Sequence, residues 1–77
     1  MFDVHVVDED ELGIEGVRVV LSFRGVSRGQ TDAVMTDADG HAEFDGYEDG
    51  AIEVYLNGDG YGRYDYEDGG GITIQMA

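Results

Sequence analysis

Five aspartates are the side chains in this sequence best suited to chemistry: Asp8, Asp10, Asp37, Asp39 and Asp59, each set among turn-forming residues. Carboxylates gathered this way give a hard cation such as calcium its oxygen ligands. The spacing does not match a helix–loop–helix calcium site. With Asp37 and Asp39 as the central ligands, the first position would be Met35 and the twelfth Gly46, neither of which can ligate. Turn preference alone also places Asp beside Gly. His5 and His41 are the only side chains that ordinarily titrate near neutrality, and without cysteine two histidines fall short of the roughly three protein ligands of a catalytic zinc. Both are expected on outward strand faces. Ser22 and Ser27 have no base and orienting partner at a familiar spacing, so no nucleophile is expected and the chain reads as a non-enzyme. Tyr47, Tyr55 and Tyr61 offer flat apolar rings with polar tips, suited to a protein partner or to stacking on a sugar. Tyr64 and Tyr66 are expected to fill the core instead.

The elements that must position these residues follow from alternation. Phe2, Val4 and Val6 alternate with Asp3, His5 and Val7, a half-buried strand stopped by the four charges of Asp8 to Glu11. Val17, Val19, Leu21 and Phe23 share one face of the longest alternation, and Gly25 to Gly29 reads as a loop. Gln30 to Thr36 is a further expected strand. The stretch Thr36 to Phe44 is a turn at Asp37 to Gly40 opening into a short strand at His41 to Asp45. After a loop at Gly46 to Gly50, Ile52, Val54 and Leu56 alternate with Glu53, Tyr55 and Asn57. The reversal Asn57-Gly58-Asp59-Gly60 leads into Tyr61 to Glu67, and Asp68 to Gly71 leads into Ile72, Ile74 and Met76. Short strands with turn signals every 8–12 residues or so predict an all-β, seven-stranded antiparallel Greek-key sandwich forming one domain over residues 1–77. If every connection reverses direction, Asp8 to Glu11, Asp37 to Asp39 and Asn57 to Gly60 share one end. The loops at Gly25 to Gly29, Gly46 to Gly50 and Asp68 to Gly71 share the other.

Charge sets the environment. The 77 residues carry 18 acidic and 4 basic side chains, a net charge of -14, and all four cations are arginines. Self-repulsion on that scale opposes compaction in dilute buffer. Screening relieves it as the Debye length falls to about 3 Å near 1 M salt. The absence of lysine and the excess of Asp over Glu fit a halophilic protein, and an ordinary acidic protein fits as well. Nucleic acid and anionic membranes are excluded as partners by the missing basic footprint. No apolar run approaches the ~20 residues of a membrane-spanning helix. Met1 as the native start would place the protein in the cytoplasm. A hydrophobic fraction of 42% is that of a folded chain.

Several stretches together resemble a known family. Val4-His5-Val6-Val7-Asp8, Leu12 to Leu21, Thr36 to Phe44 and Gly50-Ala51-Ile52-Glu53-Val54 are similar to the carboxypeptidase regulatory-like group of prealbumin-like (transthyretin-like) sandwiches. The likeness covers most of the chain, except that no proline stands near Ile14, where such domains often carry one. It implies a prealbumin-like or immunoglobulin-like fold and an accessory or interaction module. Two reactive relatives are excluded residue by residue. An isopeptide crosslink needs a lysine, which is absent; the hydroxyisourate hydrolases end in Tyr-Arg-Gly-Ser, whereas this chain ends Ile72-Thr73-Ile74-Gln75-Met76-Ala77. The expectation is therefore a non-enzymatic protein-interaction module without a cofactor, monomeric or weakly dimeric through a strand edge. A calcium- or cation-binding sandwich and a carbohydrate-binding module are the alternatives.

Overall fold

The computed structural model describes residues 1–24 and 29–76. No helix occurs among them, and the strands are β1 (Phe2–Val7), β2 (Arg18–Phe23), β3 (Val34–Met35), β4 (His41–Phe44), β5 (Gly50–Leu56), β6 (Asp59–Tyr66) and β7 (Gly71–Gln75). They form two sheets, one ordered β4-β1-β7 and the other β3-β2-β5-β6. Between the sheets lie Phe2, Val4 and Val6 from β1, Val19 and Leu21 from β2, and Ile52, Val54 and Leu56 from β5, with Tyr66 and Ile74. These are the alternating apolar positions of the sequence, and all are at most 4% exposed. Removing such residues from water supplies about 1.5–3 kcal/mol each.

One pairing departs from the expected antiparallel pattern: β1 and β7 run parallel, with Val4 beside Ile72 and Val6 beside Ile74. The reason is parity. Connections that each reverse the chain leave odd-numbered strands pointing the same way, so two odd strands brought side by side must be parallel. Every other ladder joins an odd to an even strand and is antiparallel.

The strand expected over Gln30 to Thr36 shrinks to two residues, with an isolated bridge between Gln30 and Ser22. Two buried threonines explain this. Thr31 Oγ1 accepts from the Leu21 N–H at 3.1 Å, and Thr36 Oγ1 accepts from the Val17 N–H at 2.9 Å while donating to the Ile14 carbonyl at 2.6 Å. Threonine hydroxyls thus stand where strand backbone would otherwise pair. β6 begins two residues earlier than expected, because Asn57 and Gly58, both with positive φ, complete a two-residue hairpin turn by themselves. The expected loop at Gly25 to Gly29 lies largely outside the described residues.

Candidate functional site

The ends of the molecule are arranged as chain reversal requires. At one end the Asp8 and Asp37 turns pack together: Val6 N–H bonds to the Gly40 carbonyl, Ile14 N–H bonds to the Val6 carbonyl, and a Cβ on Gly13 would fall 1.8 Å from the Asp39 carbonyl oxygen. Asn57 reaches the same end, its side-chain oxygen accepting from the Arg18 N–H at 3.0 Å. At the other end the Met1 amine pairs with Asp68 and, at 3.6 Å, with Asp45, and the Asp68 N–H bonds to Asp49. That pairing raises the amine and holds the Asp68 carboxyl below its ordinary value.

The two aspartate turns are alike bond for bond. Asp8 Oδ1 accepts from the N–H groups of Asp10 at 2.8 Å and Leu12 at 3.0 Å; Asp37 Oδ1 accepts from those of Asp39 at 2.9 Å and His41 at 3.0 Å. In each, the fourth residue donates to the carbonyl of the first, and the first donates to the carbonyl of the fifth. The fourth residue is left-handed in both: Glu11 with φ 64° and Gly40 with φ 86°. One oxygen of each first aspartate is thereby committed to its own loop. The two backbone donors also hold the Asp37 carboxyl below its ordinary value. Asp10, Asp39 and Asp59 are exposed, and among the described residues no three His, Asp or Glu side chains are grouped to hold a metal ion.

Beside this end lies a cluster whose internal contacts sequence reasoning missed. His5 and His41 face outward as expected, yet they are half-buried and stacked on one another, ring centres 4.0 Å apart and 4° from parallel. The register explains it. Val6 bonds to Gly40, so His5 and His41 occupy the neighbouring cross-strand position without ladder bonds, where side chains come closest. His5 Nε2 lies 3.1 Å from the Asp39 carbonyl and must carry the proton there, since a carbonyl only accepts. His41 Nδ1 donates to Asp3 Oδ2 at 2.8 Å, and this bond raises the His41 imidazole above its ordinary value near 6.5. The other Asp3 oxygen is buried and has no hydrogen-bond partner among the described residues.

The tyrosines separate into different surroundings. Tyr66 is in the core against Phe2 and Phe23, its hydroxyl donating to the Phe44 carbonyl at 3.3 Å, and burial pushes that hydroxyl up. Tyr64 is only partly buried against the core, donating to the Tyr61 carbonyl at 3.3 Å. Tyr47, 38% exposed, stacks on Phe23 at 5.5 Å and lines a shallow cleft of about 230 Å³ with Gln30 and Glu48. Tyr55 lies on the outer face of the four-stranded sheet, its hydroxyl raised by a hydrogen bond to Glu53. Tyr61 is partly buried against the core. No ring contact joins Tyr47, Tyr55 and Tyr61.

Comparison with protein-family models, with curated proteins and with solved structures finds no match to this chain.

Proposed function

We propose that the chain is a non-enzymatic protein-interaction or accessory module, folded as a seven-stranded Greek-key sandwich of the prealbumin-like kind and suited by its charge to concentrated salt. The observation that carries the reading is where the reactive-looking groups are committed. Asp8 and Asp37 hold their own turns, and His5, His41 and Asp3 hold one another and the Asp39 carbonyl. Side chains engaged in this way position the fold, and what the molecule offers outward is backbone edge and acidic surface. The strand order, with β1 between β4 and β7 and β2 between β3 and β5, supports the Greek-key assignment.

The test is crosslinking followed by affinity capture, run at low and at molar salt, with a charge-matched unfolded variant as the reference. A partner retained by the folded protein alone is the expected result. Identical capture by the folded and unfolded chains, or no capture at either salt, would remove the reading.

A further inference from the structure

Four strands stand at sheet edges: β4 and β7 in one sheet, β3 and β6 in the other. Open edges invite another chain, and proteins ordinarily guard them with charge, shortness or irregularity. Three of these four are guarded. β3 has two residues; β4 carries Glu43 and is flanked by Asp37, Asp39 and Asp45; β6 carries Asp59, Arg63 and Asp65, a left-handed Gly62 and a break in register opposite Glu53 to Tyr55. β7 has none of these devices. It is Gly71-Ile72-Thr73-Ile74-Gln75, inside the nine-residue stretch Gly69 to Ala77, the longest run without a charge in a chain with 22 charged side chains.

The backbone groups left open on β7 can be named. Asp3 N–H bonds to the Gly70 carbonyl at 3.1 Å, and Met76 N–H bonds to the Val7 carbonyl at 2.8 Å. Polar groups alternate sides along a strand, so those of Gly70, Ile72, Ile74 and Met76 face β1 and those of Gly71, Thr73 and Gln75 face away. Among the described residues β7 pairs with β1 alone. On the core side Ile72 and Met76 are only partly buried, leaving apolar surface that an added strand would cover.

Resting on the interaction reading above, we infer that the outer edge of β7 receives an extended segment of a partner protein that alternates apolar and basic residues. Its apolar face would continue the core past Ile72 and Met76. Charge selects the other face. Asp68, already paired with the Met1 amine, precedes β7 at one end, and the exposed Glu9, Asp10 and Glu11 follow its neighbour Val7 at the other, so a strand laid along this edge meets exposed carboxylates at its Gln75 end. A second copy of this chain brings a net charge of -14 to the same place and is disfavoured wherever salt leaves that charge unscreened.

The experiment titrates the full chain with an acetylated, amidated seven-residue peptide alternating lysine and valine, followed by amide chemical shifts and fluorescence anisotropy. Perturbations are expected at Gly71, Thr73 and Gln75, with affinity falling at least tenfold between about 0.1 M and about 1 M salt. Thr73→Pro removes an outward N–H and leaves the bonds to β1, so it is expected to weaken binding about tenfold while the fold is retained. Thr73→Lys keeps the backbone and repels the peptide, and is expected to weaken it about threefold. Equal binding by the wild type and both variants, or shifts spread over the acidic turns without β7, would overturn the inference. Self-association that strengthens with salt and is lost in Thr73→Lys would replace the peptide with a second copy and overturn it too. A crosslinked partner captured equally by wild type and Thr73→Pro would remove the β7 assignment alone and leave the interaction reading standing.

Discussion

The Asp8 and Asp37 turns share one hydrogen-bond pattern and differ at a single decisive place, the left-handed fourth residue. In the second turn it is Gly40, and a Cβ there would meet the Val6 carbonyl oxygen at 2.4 Å and Gly13 Cα at 2.7 Å. In the first it is Glu11, exposed and tolerated despite φ 64°. A left-handed φ therefore does not by itself require glycine. Close packing does, and here it comes from the first turn's own continuation through Gly13 and Ile14 pressing on the second. The Asp37 turn is a buttress for β1, and the Asp8 turn a free hairpin loop.

If so, the same change should cost very different amounts at the two sites. Gly40→Ala combines a left-handed Cβ with a backbone collision and is expected to lower unfolding free energy by about 2–5 kcal/mol, measured by denaturant titration at fixed molar salt. A cost equal to that of Glu11→Ala would end the distinction. Next in size, Asp37→Ala leaves two backbone donors without their acceptor in the buttressed turn. It should lower the melting temperature by several degrees, more than Asp8→Ala does in the free one.

Acidity sharpens the comparison further. The Asp37 carboxyl is held below its ordinary value by the His41 and Asp39 N–H groups, so its contribution is present above the ordinary carboxyl value and is lost as pH falls through the depressed one. His41 is raised by Asp3, so its contribution is full below about 6.5 and is lost as pH rises through the raised value. Melting temperature should therefore decline on both sides of a weakly acidic optimum. His41→Gln should flatten the upper limb and Asp37→Asn the lower. A wild-type profile unchanged by either substitution would contradict the assignments.

The smallest effect is a gain. Glu11→Gly relieves the left-handed glutamate and is expected to stabilise by roughly 0.5–1 kcal/mol, less the entropy glycine adds to the unfolded chain. Because it also removes one of four consecutive carboxylates, its advantage over wild type should shrink as salt rises, which melting curves at about 0.1 M and about 1 M salt would read.

Much of this was legible in the chain because it is local. The alternation of Phe2, Val4 and Val6 and of Ile52, Val54 and Leu56 reports which face is buried without reference to any other strand. Asn57-Gly58 likewise specifies its turn by its own backbone preferences. The kinship of the Asp8 and Asp37 turns was not legible, because nothing in Asp8-Glu9-Asp10-Glu11 marks Glu11 as a left-handed position, which glutamate seldom takes. The rest of what escaped depends on partners distant in sequence. Thr31 and Thr36 look like ordinary strand residues until Leu21 and Val17 present the N–H groups that their hydroxyls capture. The His5–His41 stack exists only because β1 and β4 meet in one particular register, which no local pattern encodes. The same holds for Tyr47, whose shelf on Phe23 joins the loop between β4 and β5 to the end of β2, and for the uncharged β7, whose exposure depends on its place in the sheet.

The parallel ladder between β1 and β7 bears on the order of events during folding. β1 is among the most apolar strands, yet its partners are β4, with His41 opposite His5, and β7, with Gly71 opposite Asp3. The sheet β3-β2-β5-β6 draws only on residues 18–66 and can pair without β1 or β7, whereas the sheet containing β1 is complete only when residues 71–75 join it. Until β7 joins, Phe2, Val4 and Val6 lack one neighbour in their sheet, and the four carboxylates that follow at Asp8 to Glu11 oppose association of that apolar segment with other acidic chains.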